Sequence, residues 1–318
     1  MNIIYDKKVL VTGGCGFIGS NIVETLLQNN QVKYIRILDN LATGKMENIQ
    51  FLLDKYGPEK LEFMYGDIAN FEVCRKAVKD MDLICHQAAL GSVPRSVKDP
   101  LPSHIANVNG FLHILVAANE VGIKRVVYAS SSSVYGDHPV LPKVEENTGN
   151  VLSPYAATKV IDEIYASVFS RCYNMECIGL RYFNIFGPRQ DPNGAYAAVI
   201  PKFIKLMREG KQPTINGDGT YSRDFTYVDN AVQANILALS TQNKECFGQA
   251  FNIGAGGQTT IKDLVKAINK GLDTNIIPVL GENRLGDIAH SNANIKKAKE
   301  MLHYNPNISF EEGIKKLI

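Results

Sequence analysis

The sequence lacks tryptophan, and its six cysteines are spread along the chain without a CxxC pair, at Cys15, Cys74, Cys85, Cys172, Cys177 and Cys246. A chain of 318 residues is long enough to bury a sizeable core without disulfide staples, so we expect reduced cysteines. The six histidines show no HExxH motif and no close pairing with cysteine. The sequence therefore offers no metal site.

A strong charge of either sign and a long apolar run are also lacking. The 34 basic and 32 acidic side chains give a net charge of 34 − 32 = +2, which argues against a nucleic-acid partner. No stretch approaches ~18 consecutive apolar residues, and residues 1–8 are too polar for a signal region. We therefore expect a cytoplasmic protein that binds neither nucleic acid nor membrane.

What the sequence does contain is an alternation of short aliphatic runs with longer amphipathic stretches, which is typical of βαβ units. The aliphatic runs predict strands at residues 8–12, 34–39, 61–65, 83–87, 125–130 and 177–182. The amphipathic stretches predict helices at residues 17–28, 72–78, 104–121 and 154–172, and later at 228–239 and 260–272. The pattern indicates an α/β protein with a Rossmann-type doubly wound parallel sheet of six strands.

The rhythm changes after about residue 181, where loops rich in Gly, Pro and Asn begin. We expect a first domain at residues 1–180 and a smaller C-terminal α/β lobe at residues 181–318. A later helix near residues 228–241 is expected to pack back on the first domain. No flexible linker separates the two parts, so we expect them to form one rigid body.

A glycine-rich loop follows the first predicted strand and opens the first predicted helix. Gly13, Gly14, Gly16 and Gly19 suit a tight turn and a close approach of the backbone to a pyrophosphate. Asp39 ends the second predicted strand, 39 − 19 = 20 residues beyond the last glycine. An acidic side chain there accepts a hydrogen bond from a ribose hydroxyl and repels a 2′-phosphate, so we expect bound NAD rather than NADP.

Tyr155 and Lys159 lie four residues apart in the helix predicted after Ser153 and Pro154, so they share one helix face. The helix follows the fifth predicted strand, whose end carries four serines, Ser130 to Ser133. Ionising a phenol of pKa near 10 at neutral pH takes roughly 4 kcal/mol. One positive charge ~4 Å away supplies about that at an effective dielectric constant near 20, so Lys159 is a candidate activator of Tyr155 as a base.

These motifs together resemble the extended short-chain dehydrogenase/reductase family. The resemblance rests on residues 13–19, Asp39, residues 131–136 and the Tyr155/Lys159 pair, and it covers nearly the whole chain. Pieces of the second lobe resemble the nucleotide-sugar 4-epimerase branch, at residues 181–187, residues 216–224, Arg284, Gly286 and Asp287. Residues 87–96, 137–142 and 191–201 are most similar to bacterial UDP-N-acetylglucosamine 4-epimerases.

The resemblance implies which residues contact the cofactor and the substrate. Implied NAD contacts are Gly13, Gly16, Phe17, Ile18, Gly19, Asp39, Asn40, Thr43, Gly44, Asp67, Ile68, Gln87, Ala88, Ala89, Tyr155, Lys159 and Tyr182. Implied contacts to a UDP-sugar are Gly91, Ser92, Ser131, Ser132, Ser133, Asn184, Ala198, Val199, Lys202, Asn216, Arg223, Arg284, Asp287, His290 and Ser291. The implied catalytic groups are Tyr155, Lys159, Ser131 and Ser132.

In the implied reaction, Tyr155 takes the proton of the sugar C4 hydroxyl while hydride passes to NAD, and the keto sugar turns over and takes the hydride back. Ser131 steadies the C4 oxygen, with Ser132 and Ser133 close by. Arg223 and Arg284 are candidates for the diphosphate, because guanidinium matches phosphate oxygens in pairs, and Asp287 for a uridine ribose hydroxyl. The small Ser291 leaves space for an N-acetyl group.

Three alternatives stay open. Ala289 and Asn294 stand where the family often has a basic residue and an aspartate, so a UDP-N-acetylglucosaminuronate or UDP-glucuronate 4-epimerase is the first. A nucleotide-sugar 4,6-dehydratase is less favoured, because such relatives carry an acidic pair where this chain has Ser132 and Ser133. A non-catalytic NAD-binding sensor is least favoured, because the chain retains Tyr155 and Lys159.

The resemblance also implies a homodimer. Two helices of each subunit form a four-helix bundle in the family, and the corresponding stretches here are residues 104–121 and 154–172.

Overall fold

A central parallel β-sheet organises the computed structural model, which describes residues 4–193, 197–282 and 288–318. In chain order the strands are β1 (Lys8–Thr12), β2 (Tyr34–Asp39), β3 (Leu61–Tyr65), β4 (Leu83–His86), β5 (Arg125–Ser131), β6 (Glu176–Tyr182), β7 (Ile185–Phe186), β8 (Thr214–Asn216), β9 (Ser222–Arg223), β10 (Thr226–Tyr227), β11 (Gln249–Ile253), β12 (Thr259–Thr260), β13 (Val279–Gly281) and β14 (His290–Ser291). Seven of them form the central sheet, in the order β11-β6-β5-β4-β1-β2-β3. Every pairing within it is parallel.

Helices cover both faces of this sheet. In chain order they are α1 (Phe17–Gln28), α2 (Gln50–Tyr56), α3 (Phe71–Val78), α4 (Val93–Lys98), α5 (Pro100–His104), α6 (Gly110–Glu120), α7 (Pro154–Tyr173), α8 (Val199–Arg208), α9 (Val228–Ser240), α10 (Ile261–Leu272), α11 (Lys296–Leu302) and α12 (Phe310–Leu317). Within the described ranges, no helix is both long and apolar enough to cross a membrane.

The core lies in two apolar layers, one on each side of the sheet. Val9 and Val11 of β1 belong to the layer that contains Ile22 of α1, whereas Leu10 belongs to the layer that contains Phe111 of α6. Successive side chains of a strand point to opposite faces, so this division places helices on both sides of the sheet. Strands buried on both faces need a nearly continuous apolar sequence, which β1 has at residues 9–11 and β4 has at residues 83–85.

The strand order reverses at β1, which has β2 on one side and β4 on the other. Chain segments that leave the carboxyl ends of β1 and β4 therefore diverge around a crevice, the usual ligand position in such sheets. The predicted doubly wound α/β fold is confirmed.

Two details of the prediction are wrong. The central sheet has seven strands rather than six, because β11 arrives from residues 249–253 and pairs with β6. The helix predicted at residues 104–121 is interrupted by a π-helical turn, Ile105–Asn109, between α5 and α6. In that turn the Asn107 side chain accepts from Leu90 N at 2.8 Å and donates to Thr158 Oγ1 at 3.0 Å, so it is bonded to two neighbouring segments.

The remaining strands are only two or three residues long and form small separate sheets. β7 pairs with β10, β8 pairs with β13, and β9 lies between β12 and β14. These pairings join segments that are far apart in the sequence, and loops make up most of the surrounding chain. The helix α9 returns to the central sheet and packs against α1, β5 and β6.

Candidate active site

The glycine-rich loop after β1 is closely packed against neighbouring backbone. Gly13 has φ +68°, and a Cβ atom there would lie 2.6 Å from Ala88 N. A Cβ on Gly19 would lie 2.2 Å from the Gly13 carbonyl oxygen. Gly16 caps the N-terminus of α1 without a side-chain hydrogen bond, so the first amides of the helix are not capped by it. Uncapped amides at a helix N-terminus form a site that suits a phosphate group.

Asp39 lies at the carboxyl end of β2 and is 7% exposed. Its Oδ2 accepts from Cys15 N at 2.9 Å and its Oδ1 accepts from Leu41 N at 2.8 Å. Burial raises the pKa of this carboxyl, and the two backbone hydrogen bonds lower it in part. Each oxygen of a carboxylate can accept a further hydrogen bond, so Asp39 keeps acceptor capacity for a pair of ribose hydroxyls.

A narrow cleft brings most of the predicted cofactor residues together. Ten predicted residues line it, namely Gly13, Gly16, Asp39, Asn40, Thr43, Asp67, Ile68, Gln87, Ala88 and Ala89. Ala42, Leu90 and Ala106 also line it and were missed by the sequence analysis, because an aliphatic side chain carries no chemical signal of a ligand contact. The Asn40 amide donates to Asp67 Oδ2 at 2.8 Å, which joins the loops after β2 and β3.

The other predicted cofactor residues lie around this cleft rather than in its lining. Phe17 and Ile18 pack on the core in the first turn of α1, and Gly44 packs against Cys15 and Asp39. The hydroxyl of Tyr182 donates to Gln87 Oε1 at 3.0 Å and accepts from the amide of Asn235 at 2.7 Å.

Asn235, on α9, was also missed by the sequence analysis. Its side-chain oxygen accepts from the amide of Gln87 at 3.0 Å, so it closes a ring of hydrogen bonds with Gln87 and Tyr182. No motif in the sequence indicates this contact, which spans 148 positions along the chain.

Tyr155 and Lys159 occupy the first turns of α7. Ser153 caps this helix by accepting from Ala156 N at 3.1 Å, and Pro154 follows at the first helical position. The Tyr155 backbone amide donates to Ser96 Oγ at 3.0 Å, which attaches the start of α7 to α4. Lys159 is 2% exposed, and its ammonium donates to the carbonyl oxygen of Ala129, on β5, at 2.9 Å.

A buried ion pair holds the Lys159 ammonium. It donates to Asp162 Oδ2 at 3.1 Å, one helical turn further along α7. Burial has the largest single effect and lowers the pKa of Lys159, but the charges of Asp162, Tyr155 and Glu163 and the hydrogen bond to Asp162 together raise it by more, so the net direction is upward. Burial raises the pKa of Asp162 to about 6, and the ion pair offsets only part of that rise. Lys159 therefore carries its charge at neutral pH.

His86, at the end of β4, stays neutral beside this charge. Burial, with a smaller contribution from the charge of Lys159, lowers the pKa of His86 to about 3. Its Nδ1 shares a hydrogen bond of 2.8 Å with the hydroxyl of Thr12.

The four serines at the end of β5 have different surroundings. Ser131 Oγ accepts from Ser133 N at 3.1 Å and caps the turn Ser132–Tyr135, against which α7 packs. Ser130 donates to Glu163 Oε1 at 2.6 Å, in a cluster with Arg181, and is therefore structural. Ser133 Oγ is buried and has no hydrogen-bond partner within the described residues.

A second, larger cleft of about 1060 Å³ opens on the side of α8. Predicted substrate residues that line it are Ser92, Val199, Lys202, Asn216 and Arg223. Lys205, Lys211 and Tyr221 line it as well and were missed, although Lys205 lies one helical turn from Lys202. The Arg223 guanidinium donates to the carbonyl oxygens of Ser222 at 2.8 Å and Ala289 at 3.1 Å.

His290 and Ser291 form β14, which pairs with β9, so Ser291 lies opposite Arg223 in the ladder. The Nδ1 of His290 shares a hydrogen bond of 2.8 Å with Ser222 Oγ. Both residues lie beside the larger cleft without lining it.

The remaining predicted substrate residues differ in position. Ala198 caps α8, Asn184 is exposed at the turn before β7, and Gly91 has open space around it. Arg284 and Asp287 lie outside the described residues. Among the residues that the structure describes, no group of three or more His, Cys, Asp or Glu side chains is arranged to hold a metal ion.

Comparisons with known proteins agree on one family. Residues 9–254 match the model of the NAD dependent epimerase/dehydratase family. A putative UDP-glucose 4-epimerase of Methanocaldococcus jannaschii is 38% identical, over 98% of this chain and 97% of the relative.

Solved structures are similar over the same length. A UDP-N-acetylglucosamine 4-epimerase from Methanobrevibacter ruminantium, in complex with UDP-N-acetylmuramic acid, has a TM-score of 0.90 and 40% identity, and the match covers 98% of this chain and 96% of that one. A UDP-glucuronic acid 4-epimerase from Bacillus cereus, in complex with UDP-glucuronic acid and NAD, has a TM-score of 0.88 and 32% identity, with 97% of each chain covered.

Proposed function

Because the chain belongs to the NAD dependent epimerase/dehydratase family, we propose that it is a UDP-sugar 4-epimerase that interconverts UDP-N-acetylglucosamine and UDP-N-acetylgalactosamine. The observation that carries the proposal is the placement of Tyr155 one turn before the buried Lys159 ammonium, at the carboxyl end of β5. The relatives support a UDP-sugar 4-epimerase, and the choice of an N-acetylated sugar rests on Ser291.

The residues around the narrow cleft fit NAD. The backbone at Gly13 and Gly19 leaves no room for a Cβ atom, and the uncapped amides at the start of α1 suit its pyrophosphate. Asp39 would accept from the adenosine ribose hydroxyls. When bound, NAD supplies the hydride acceptor and donor that a 4-epimerisation needs.

Tyr155 acts as the base that removes the proton from the C4 hydroxyl of the sugar. The adjacent charge of Lys159 favours the phenolate, because it stabilises the negative form of the oxygen. Ser131 ends β5 beside the turn that contacts α7, and its hydroxyl is assigned the role of bonding the C4 oxygen. The phenol returns a proton when the sugar is reduced on its other face, so no net proton is consumed.

Epimerisation is favoured over dehydration because the strand-end hydroxyls are not followed by acids. A 4,6-dehydratase needs a proton donor for the leaving water, and Ser132 and Ser133 are weak acids. Retention of both Tyr155 and Lys159 supports an enzyme rather than a sensor that only binds NAD.

The N-acetylated sugar is favoured by the size of Ser291. This side chain lies on β14 opposite Arg223, which lines the larger cleft and suits a diphosphate. A small residue there leaves room for a substituent at C2 of the sugar. The uronic-acid alternative is supported by Lys205 and Lys211, two further cations that line the same cleft, because a uronic acid carries a carboxylate.

A panel of UDP-sugars tests the proposal. The purified protein with NAD would be incubated with UDP-N-acetylglucosamine, UDP-glucose and UDP-glucuronate, and the product sugars identified. We expect UDP-N-acetylgalactosamine as the main product, and a loss of ~100-fold or more in rate for Tyr155→Phe with unchanged NAD retention. Absence of that product from a protein that holds NAD would contradict the proposal, and a uronate product would favour the alternative.

We also propose that two copies associate through α7 and the segment before α6. Large apolar side chains are exposed there, at Leu101 (68%), Ile105 (46%) and Ile164 (57%), and α5 packs against α7. These two helical segments of one copy would pack against the same two segments of the other copy and so form the predicted four-helix bundle. Light scattering should give a dimer for the parent chain and a monomer for Ile164→Glu. Ile277→Glu, at a residue elsewhere that is 69% exposed, should stay dimeric.

A further inference from the structure

Asp162 is a buried carboxylate next to the proposed catalytic pair, and the sequence analysis assigned it no role. Both it and Lys159 are 2% exposed, and the ion pair between them measures 3.1 Å from Nζ to Oδ2. Its other oxygen, Oδ1, is buried and has no hydrogen-bond partner within the described residues. Among the described residues, Lys159 is therefore the group with which this carboxylate forms its ion pair.

A carboxylate that serves only the fold is bonded differently in the same molecule. Asp224 is fully buried, and its two oxygens accept from Ala255 N, Gly256 N and Ala293 N, so both contribute to holding backbone segments. Asp162 holds no backbone amide among the described residues. A buried charge without such bonds is costly, which makes its one contact, to Lys159, the feature that needs explaining.

We propose that Asp162 is a positioning residue that sets the pH range of the reaction, by holding the Lys159 ammonium and partly neutralising its charge toward Tyr155. The proposal rests on the proposed function of Tyr155 as the base. The three residues lie on helix α7. Tyr155, Lys159 and Asp162 follow one another at intervals of about one helical turn, so they share one face of the helix.

Two effects follow from this arrangement. The carboxylate keeps Lys159 protonated, because an unpaired ammonium in a buried site loses its proton more easily. The same negative charge offsets part of the attraction between the Lys159 ammonium and the Tyr155 phenolate. Removal of the Asp162 charge should therefore favour the phenolate and disfavour the ammonium, and both changes act toward lower pH.

The other ionisable groups around Lys159 do not perform this task. His86, on β4, is neutral, and Tyr128, on β5, is a buried phenol whose pKa is raised well above its ordinary value by burial. Glu163, on α7, is already paired with Arg181, on β6, at 2.8 Å and accepts from Ser130.

Asp162→Asn tests the proposal through the pH profile of kcat/KM. We expect both limbs of the profile to move to lower pH, by about one pH unit, since loss of the negative charge favours the phenolate and destabilises the ammonium. Asp162→Glu keeps the charge and should restore the parent profile. Glu176→Gln removes the acid of another ion pair, with the buried Arg125 at the opposite end of β5, and should leave the profile unchanged.

A second readout does not depend on catalysis. Tyrosinate absorbance near 295 nm, taken as the difference between each chain and its Tyr155→Phe counterpart, reports the ionisation of Tyr155 directly. We expect it at lower pH in Asp162→Asn than in the parent. If no UDP-sugar reacts, the proposed function fails while this titration still decides the role of Asp162. A lower rate with an unchanged pH profile and an unchanged Tyr155 titration would overturn the inference.

Discussion

Two regions of the molecule each depend on one buried aspartate, and they use it differently. In the cofactor region, which comprises the loops after β1, β2 and β4, Asp39 accepts one backbone amide on each oxygen and still faces the narrow cleft. In the sugar region, built on β9, β12 and β14, Asp224 is fully buried and accepts from three backbone amides and from the Thr226 hydroxyl.

The difference follows from the length of the strands. Five- and six-residue strands hold the cofactor region in place, so its aspartate is free to serve a ligand. The sugar region has two-residue strands, which supply few ladder hydrogen bonds, and a carboxylate must join its loops instead. We propose that ligand recognition in this region falls to side chains such as Arg223, on β9, and Ser291, on β14.

The largest effect is expected in the glycine-rich loop of the cofactor region, where the packing leaves no space for an added Cβ atom. Gly19→Ala would place a Cβ atom 2.2 Å from the Gly13 carbonyl oxygen, and because that neighbour is backbone, the loop must move. We expect a loss of about 3 kcal/mol in the free energy of unfolding, together with loss of NAD retention. Gly257→Ala, where nothing lies within 4 Å, is the control and should change neither. If the two variants had the same stability and the same NAD retention, close backbone packing at Gly19 would not be what constrains this loop.

Asp224→Asn tests whether the Asp224 carboxylate stabilises the sugar region. The amide group of Asn turns a donor toward backbone donors, so we expect a loss of about 2 to 3 kcal/mol in the free energy of unfolding, measured by urea denaturation. Burial raises the pKa of Asp224, with the backbone hydrogen bonds offsetting part of the rise. The parent therefore loses stability from this group as pH rises, and the penalty of Asn should be larger at acidic than at neutral pH.

Asp39→Asn provides the matching change in the cofactor region. Asn keeps one acceptor oxygen, so we expect a smaller loss of stability than for Asp224→Asn. Retention of NAD should fall ~10-fold, or about 1.4 kcal/mol, and NADP should compete better because the charge that repels its 2′-phosphate is gone. Calorimetric titration of both cofactors measures this. If Asp39→Asn lost more stability than cofactor affinity, the contrast between the two aspartates would be wrong.

Ser291→Tyr tests whether Ser291, on β14 in the sugar region, selects the substituent at C2 of the sugar. A bulky ring beside Arg223 should lower kcat/KM for UDP-N-acetylglucosamine ~10-fold more than for UDP-glucose, because only the former carries a large C2 substituent. Competition between the two substrates in one mixture gives the ratio directly. An equal loss for both sugars would count against a role of Ser291 in selecting the substituent.

The smallest effect is expected at a surface contact between the cofactor region and the loop after β7. Lys45 and Asp191 form an ion pair of 3.1 Å with side chains 47% and 39% exposed. Lys45→Ala should cost about 0.5 kcal/mol or less, and the cost should vanish at high salt. Arg189→Ala is the comparison, since Arg189 is less exposed and bonds both Glu24 and Asn21 of α1. It should cost more and depend less on salt.

The sequence was most informative where neighbouring residues determine structure. Strands β1 to β3 and helix α1 have the predicted bounds, because aliphatic runs and the glycine loop are local signals. The strand β11 could not be predicted, since five residues between loops show no period that distinguishes them. Contacts such as those of Asn235 with Gln87 and Ser96 with Tyr155 join distant segments and leave no mark in the local pattern.

The late return of β11 to the central sheet affects how the protein can be synthesised. The strand β6 ends at residue 182 and its partner β11 ends at residue 253, which is 253 − 182 = 71 residues later. At ~5 to 20 residues per second, a ribosome needs roughly 4 to 14 s for that length. During this interval the emerging chain has an unpaired strand edge at β6, and such edges pair readily with other chains. The sheet receives its last strand on this side, β11, only when about four-fifths of the polypeptide has been made.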